Sequence, residues 1–228
     1  MRSLKYLGVA AVALVVLAVT TSSALAVTAP SVLNIKSPQA VTGAGIGVVE
    51  LQVLTGLGVL CEESSAEASL ATENTGTFHI KFGKCKSTSP VATCTGKDGT
   101  VNDGSGVILT LGTFKIVHDV AKEGSTYAIL FEQSPDTEFE CTALAKIKVL
   151  GTVLCLILKP TEEKESHEFV CLKGKAFGDP GETAYWFEGN PGTASILTSV
   201  NGGAEEVSNE VATATFVTSG SPKAVVMN

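Results

Sequence analysis

Short runs in which apolar and polar residues alternate, cut at close intervals by turn-forming residues, dominate this 228-residue chain. Phe78, Ile80 and Phe82 alternate with His79 and Lys81. Phe114, Ile116, His118 and Val120 share one face with Lys115 and Asp119 opposite. Tyr127, Ile129 and Phe131 repeat the pattern, as do Ile147 and Val149 between Lys146 and Lys148. A period of two sends successive side chains to opposite faces, which is what a half-buried strand needs. Val153 to Leu158 is apolar at every position and reads as a central strand covered on both faces. Asp98-Gly99, Asp103-Gly104, Asp179-Pro180-Gly181, Asn190-Pro191-Gly192 and Asn201-Gly202-Gly203 favour reversals or positive φ. The expected fold is therefore mainly β and antiparallel, a β-sandwich or distorted β-barrel built from hairpins. Only Glu62 to Thr72, rich in Ala, Glu and Ser, has a helical composition; its small apolar surface leaves a loop as the equal alternative.

The first 26 residues place such a fold outside the cytoplasm. Arg2 and Lys5 form a cationic start, Leu7 to Val19 is an unbroken apolar run, and Ala24-Leu25-Ala26 supplies the small residues of a cleavage site. The run is shorter than the roughly 20 residues that span a bilayer, so 1–26 reads as a secretory signal peptide. No Cys follows the cut to take a lipid. Residues 27–228 then form a single β-rich domain, with a soft boundary near 173–180 beyond which Thr, Ala, Gly and Ser increase. A small second β unit is the alternative. Strands are expected to continue there at Ala184 to Glu188, Ser195 to Val200, Val211 to Val217 and Ala224 to Met227.

The chain carries 16 basic and 23 acidic residues, and its only arginine, Arg2, lies in the leader. An acidic protein without guanidinium groups is poorly suited to phosphate recognition, so no nucleic acid is expected as a partner. No second apolar segment is long enough for stable membrane insertion. The expected location is secreted or held at the cell envelope, outside the cytoplasm.

Export turns the six cysteines into disulfide candidates. Fifteen pairings are possible. Cys85 and Cys94 flank Lys86 to Thr93 at a spacing that suits a link across one hairpin. Cys155 and Cys171 flank an acidic connection, and their pairing sets Ile157 opposite Phe169 so that apolar residues share a face. Cys61 and Cys141 remain, and would close a loop worth up to about 4.5 kcal/mol in the chain-entropy model. Strict alternation from Phe82 puts Cys85 on the polar face, which a bulge at Gly83 would repair. The rival reading is a zinc site, but no C-x-x-C occurs. No metal or cofactor is expected.

Signals for catalysis are sparse. His79 falls on the polar side of its strand and reads as solvated. His118 falls on an apolar face beside Ile116 and Val120, where a buried, hydrogen-bonded histidine is the simpler reading than a general base, because Asp119 points the other way. His167 lies opposite Lys159 near a hairpin end, a surface position. No G-x-S-x-G occurs. The acidic pairs Glu62-Glu63, Glu138 with Glu140, Glu162-Glu163 and Glu205-Glu206 lie in turns or on outward faces, where solvation rather than glycoside hydrolysis is expected. Asp98, Thr100, Asn102 and Asp103 gather oxygens in a Gly-rich loop but fail the EF-hand spacing. Tyr185, Trp186 and Phe187 form the densest aromatic cluster and a possible ligand platform, although alternation divides them between two faces and core packing competes.

Phe82-Gly83-Lys84-Cys85, Cys94-Thr95-Gly96 and Phe139-Glu140-Cys141, followed by an apolar strand starting at Gly151, together resemble a group of uncharacterised exported bacterial proteins with β-rich, disulfide-stapled bodies. The resemblance covers roughly residues 59–172. It implies that fold and location, and, as that group has no assigned activity, no functional residue.

The sequence thus points to a non-catalytic structural or binding module of the envelope or extracellular space, more in keeping with a protein or glycan surface partner than with an enzyme. Two alternatives stand beside it. One is a secreted hydrolase whose site is assembled from distant residues. The other is a β-barrel carrier of an apolar ligand, with an empty cavity lined by residues such as Leu109, Phe114, Ile129 and Phe131.

Overall fold

The computed structural model describes residues 31–33, 38–53, 56–98, 101–119, 127–160, 162, 166–171, 183–187, 190–218 and 225–227. The leader and the segment 172–182 lie outside the described residues. Alternation does what it predicts: among the described residues every regular element is a strand and none is a helix. In chain order the strands are β1 (Ser31–Leu33), β2 (Gln39–Gly45), β3 (Val49–Val53), β4 (Gly58–Cys61), β5 (Glu63–Leu70), β6 (Thr75–Gly83), β7 (Lys86–Ser87), β8 (Cys94–Asp98), β9 (Val101–Asn102) and β10 (Ile108–Asp119). They continue as β11 (Tyr127–Gln133), β12 (Thr137–Cys141), β13 (Ala145–Ile157), β14 (Ser166–Cys171), β15 (Thr183–Phe187), β16 (Asn190–Ala194), β17 (Ile196–Val200), β18 (Glu205–Thr218) and β19 (Val225–Met227).

The antiparallel pairings close on themselves twice. In the first ring β2, β5, β6, β10, β11, β13, β14 and β18 pair in that order, and β18 returns to β2. In the second, β3, β4, β7, β8, β12, β13, β17 and β18 follow one another and β18 returns to β3, the β7–β8 step being the single bridge Lys86–Thr93. The two longest strands, β13 of 13 residues and β18 of 14, run through both rings. The result is two eight-stranded barrels placed end to end on two shared strands, the barrel form of the expected architecture. Strands β15, β17 and β18, which follow residue 182, pair with β10, β13, β14, β2 and β3 from the earlier part of the chain.

The junction needs a residue that can turn a strand out of one ring into the other. On β13 this is Gly151, with φ 95°. It is the last β13 residue paired with β17, and pairing with β11 begins at Thr152. A side chain there would both sit in left-handed backbone and collide with the Ser195 carbonyl. Gly151 is therefore in mid-strand, not at the strand start expected from the sequence.

Two other local expectations are corrected. Glu62 to Thr72 is neither helix nor loop: Glu63–Leu70 is β5, with Ser64, Ala66, Ala68 and Leu70 facing inward opposite β6. Small side chains hide the period of two, and pairing on both sides overrides a weak helical propensity. Asn190-Pro191-Gly192 is strand rather than turn, since Phe187 already pairs with Asn190. By contrast Asn201 and Gly202, at φ 52° and 73°, make the expected tight reversal between β17 and β18.

The disulfides are Cys61–Cys85, Cys94–Cys141 and Cys155–Cys171. Only the third matches the sequence-based pairing, with Ile157 opposite Phe169 as expected. Cys85 and Cys94 do face each other across one hairpin, but there the Cys94 N–H donates to the Cys85 carbonyl at 2.9 Å. At such a hydrogen-bonded pair the Cα atoms stand about 5.5 Å apart. Each cysteine instead bonds to its neighbour on the other side, where the Cα separations are 4.0 and 3.9 Å. Cys61 and Cys141 are therefore not partners. Lys84, at φ 54°, breaks the alternation after Gly83 and returns Cys85 to the interior, where it is fully buried. Three disulfides suit an oxidising, extracytoplasmic environment.

Candidate functional site

The first barrel is not filled. Eight strands enclose an interior just wide enough for side chains or one small ligand, and here a cavity of about 120 Å³ remains. The cause lies in which side chains each strand sends inward. On one wall β2 contributes Gly43 and Gly45, β5 contributes Ala66 and Ala68, and β18 contributes Ala212 and Ala214. Facing them are Phe78 from β6, Phe114 from β10, Phe131 from β11 and Phe169 from β14. The rings brace one another: Phe78 meets Phe131 edge-on at 5.2 Å, and Phe131 lies 5.8 Å from Phe169. A rigid aromatic wall cannot collapse onto a wall of methyl groups and bare backbone, so space is left. The second barrel retains a smaller void of about 50 Å³.

Sequence patterning anticipates Phe114, Ile129 and Phe131 in such a cavity, and all three line it. Leu109 does not. It pairs with Lys81, on the outward parity of β6 and β10.

Polar groups concentrate at the end of the cavity that meets the second barrel. Thr137 donates to Thr110 through their hydroxyls at 2.9 Å. Gln133, the last residue of β11, borders the cavity, and its buried Oε1 has no hydrogen-bond partner among the described residues. Glu210 is on the inner face of β18 and borders both voids. It keeps some accessible surface toward them, yet the atoms packed around it are largely apolar, and burial pushes its carboxyl up to about 7. No cation among the described residues offsets that burial. Glu210 and Gln133 are functional candidates missed by sequence reasoning, and for Glu210 a signal existed. Ala212, Ala214 and Phe216 set the inward parity of β18, and two residues earlier that parity reaches Glu210.

Two buried histidines lie on the strands toward the opposite end of the barrel. His118 is buried as expected, its ring 5.2 Å from Tyr127, but Nε2 meets no hydrogen-bond partner among the described residues, contrary to the hydrogen-bonded reading. His167 was expected at the surface and is buried instead, stacked 5.5 Å from Phe216. It shares parity with Phe169 on β14, and closure of β14 against β18 turns that face into the barrel. His79 is exposed, as expected.

Of the remaining sequence-based candidates, none whose side chain is described lines this site. The β15 backbone sets Tyr185 opposite Asp119 and Trp186 opposite His118; the side chains of Tyr185, Trp186 and Phe187 lie outside the described residues. Asp103 caps its own turn, Oδ2 accepting from the Leu109 N–H at 2.8 Å. The side chains of Asp98, Thr100 and Asn102 lie outside the described residues. Among those described, no group of three or more His, Cys, Asp or Glu is placed to hold a metal ion. Glu138 and Glu140 are exposed on β12. The chain matches no protein-family model, no curated protein and no solved structure.

Proposed function

We propose that this protein is an exported, non-catalytic binding module whose first barrel holds one small apolar molecule. The observation that carries the reading is the cavity of about 120 Å³ between a wall of Gly and Ala and a wall of Phe. Empty apolar space of this size costs stability and is recovered when a fitting molecule enters; a cavity of roughly 150 Å³ accepts benzene. The leader-like residues 1–26 and the three disulfides support a site of action outside the cytoplasm. His118, one of the groups that a hydrolytic reading would use, packs against Tyr127 and does not line the cavity, which favours binding over hydrolysis.

The test is titration of the secreted protein with toluene, followed by Tm and by the methyl resonances of Ile116 and Ile129. Both report on the cavity, and ligand excess raises Tm through mass action. The variant Ala214→Leu fills the space and abolishes both responses. Unchanged Tm and unshifted methyl signals in saturating toluene would remove the basis of the reading.

A further inference from the structure

The cavity is apolar along its length but not at its junction end, where two acceptors wait without donors. Gln133 presents a buried, unbonded Oε1, and Glu210 presents a carboxyl that no described cation or N–H reaches. Both border the same cavity. No Lys lines it, and the chain has no arginine beyond the leader. An anionic head group would meet the like charge of Glu210 there and no cation among the described residues. A hydroxyl carries one donor, whereas an ammonium carries three and also supplies the missing positive charge. We propose that the natural occupant is a small primary amine with an apolar body, its ammonium paired with the Glu210 carboxylate and bonded to the Gln133 Oε1. The proposal rests on the cavity reading above and adds the chemistry of the head group.

Volume limits the body. Space close to that of a cavity that admits benzene limits the apolar body to about one six-membered ring or a short alkyl chain, as in benzylamine or a short alkylamine with its ammonium at the junction end. Long-chain lipids and sterols are too large. The net charge of −7 favours the approach of cations over anions.

Among the described residues Glu210 is the only ionisable side chain lining either void, since Cys155 is joined to Cys171 and Cys61 to Cys85. On the strands flanking β18, Glu50 of β3 and Glu168 of β14 pair with Val211 and Thr215 and so take the outward parity. Amine affinity should therefore follow one proton, that of Glu210. It is greatest at pH 8, where the carboxyl is ionised, and falls at least tenfold by pH 5, where burial keeps it protonated.

The experiment compares benzylamine, benzyl alcohol and toluene on the intact protein by calorimetry at pH 8 and pH 5. Expected is at least tenfold tighter binding of benzylamine than of the other two at pH 8, with the preference lost at pH 5. Glu210→Gln, close to isosteric, should bring benzylamine affinity down to that of benzyl alcohol and toluene; Gln133→Leu should weaken benzylamine about threefold. Toluene binding without an amine preference overturns this inference and leaves the cavity reading intact. Binding of none of the three overturns both. Because the ligand comparison uses the unsubstituted protein, it stands whether or not the variants fold.

Discussion

The two barrels share β13 and β18 yet hold themselves together by different means. The second is ringed by short strands, among them β4 of four residues and β7 of two, and carries two of the three disulfides. Its cysteines pack with Val49, Val59, Phe139, Ile147 and Val149 in one cluster. The first is ringed by longer strands, such as β6 of nine residues and β10 of 12, and its interior is braced by phenylalanines. Its single disulfide, Cys155–Cys171, joins β13 to β14. A short strand buries too little apolar surface to hold its place, and a covalent link that constrains the unfolded chain compensates. Longer strands with interlocked rings can tolerate a hole. Two of the three disulfides thus reinforce one barrel while the larger empty space lies in the other, where only Cys155–Cys171 borders it.

That contrast can be broken most severely at the cross-links. Replacing both Cys94 and Cys141 by Ala opens a link across a sequence separation of 47. Chemical denaturation should show a loss of about 4 kcal/mol, the chain-entropy value for such a loop. If stability is unchanged, the second barrel does not depend on its disulfides and the comparison fails. Next in size is the junction: Gly151→Ala imposes a side chain on left-handed backbone against the Ser195 carbonyl, and should cost roughly 3 kcal/mol in the same measurement.

Glu210 sharpens the contrast from inside the cavity, and in the opposite direction. Burial raises its folded pKa from 4.5 to about 7, so the folded state binds a proton that the unfolded state releases first. Its carboxyl is tolerated best below about pH 4.5, and stability is lost as pH rises from there through 7. Glu210→Gln should accordingly gain about 2 kcal/mol at pH 8, discounted for the partial exposure of the residue, and almost nothing at pH 4. Urea melts at the two pH values check the sign. The smallest effects compare packing. Ala68→Val adds volume to the cavity and should change stability by less than about 1 kcal/mol, whereas Ile147→Phe overpacks the second barrel and should cost about 1 to 2 kcal/mol.

Much of this arrangement is legible in the residues, and the parts that are not have physical reasons. Strong side-chain contrast marks β6, β10, β11 and the first half of β13 without ambiguity, and places Phe114, Ile129 and Phe131 inside. Contrast weakens on β5, where the inward Ser64, Ala66 and Ala68 are small, although Glu63 and Glu67 mark the outward face. The strand hardest to read is thus one of those that create the cavity, because small side chains weaken the pattern and leave the space for the same reason. The disulfides show a second limit. Hairpin spacing correctly brings Cys85 and Cys94 face to face, but the choice between neighbours depends on which pair exchanges backbone hydrogen bonds. His167 shows a third, since inside and outside at a hairpin end depend on whether a distant strand closes over it.

By itself the sequence determined the antiparallel β character, the inward and outward faces of its best-patterned strands, and six cysteines available for oxidation, because these follow from a local period of two and from residue chemistry. Only the tertiary structure decided that the sheet closes twice, which cysteines meet, and that Glu210 and Gln133 border one apolar cavity. Those facts depend on register between strands far apart in the chain, such as β2 with β18, and no local pattern encodes a pairing across that distance.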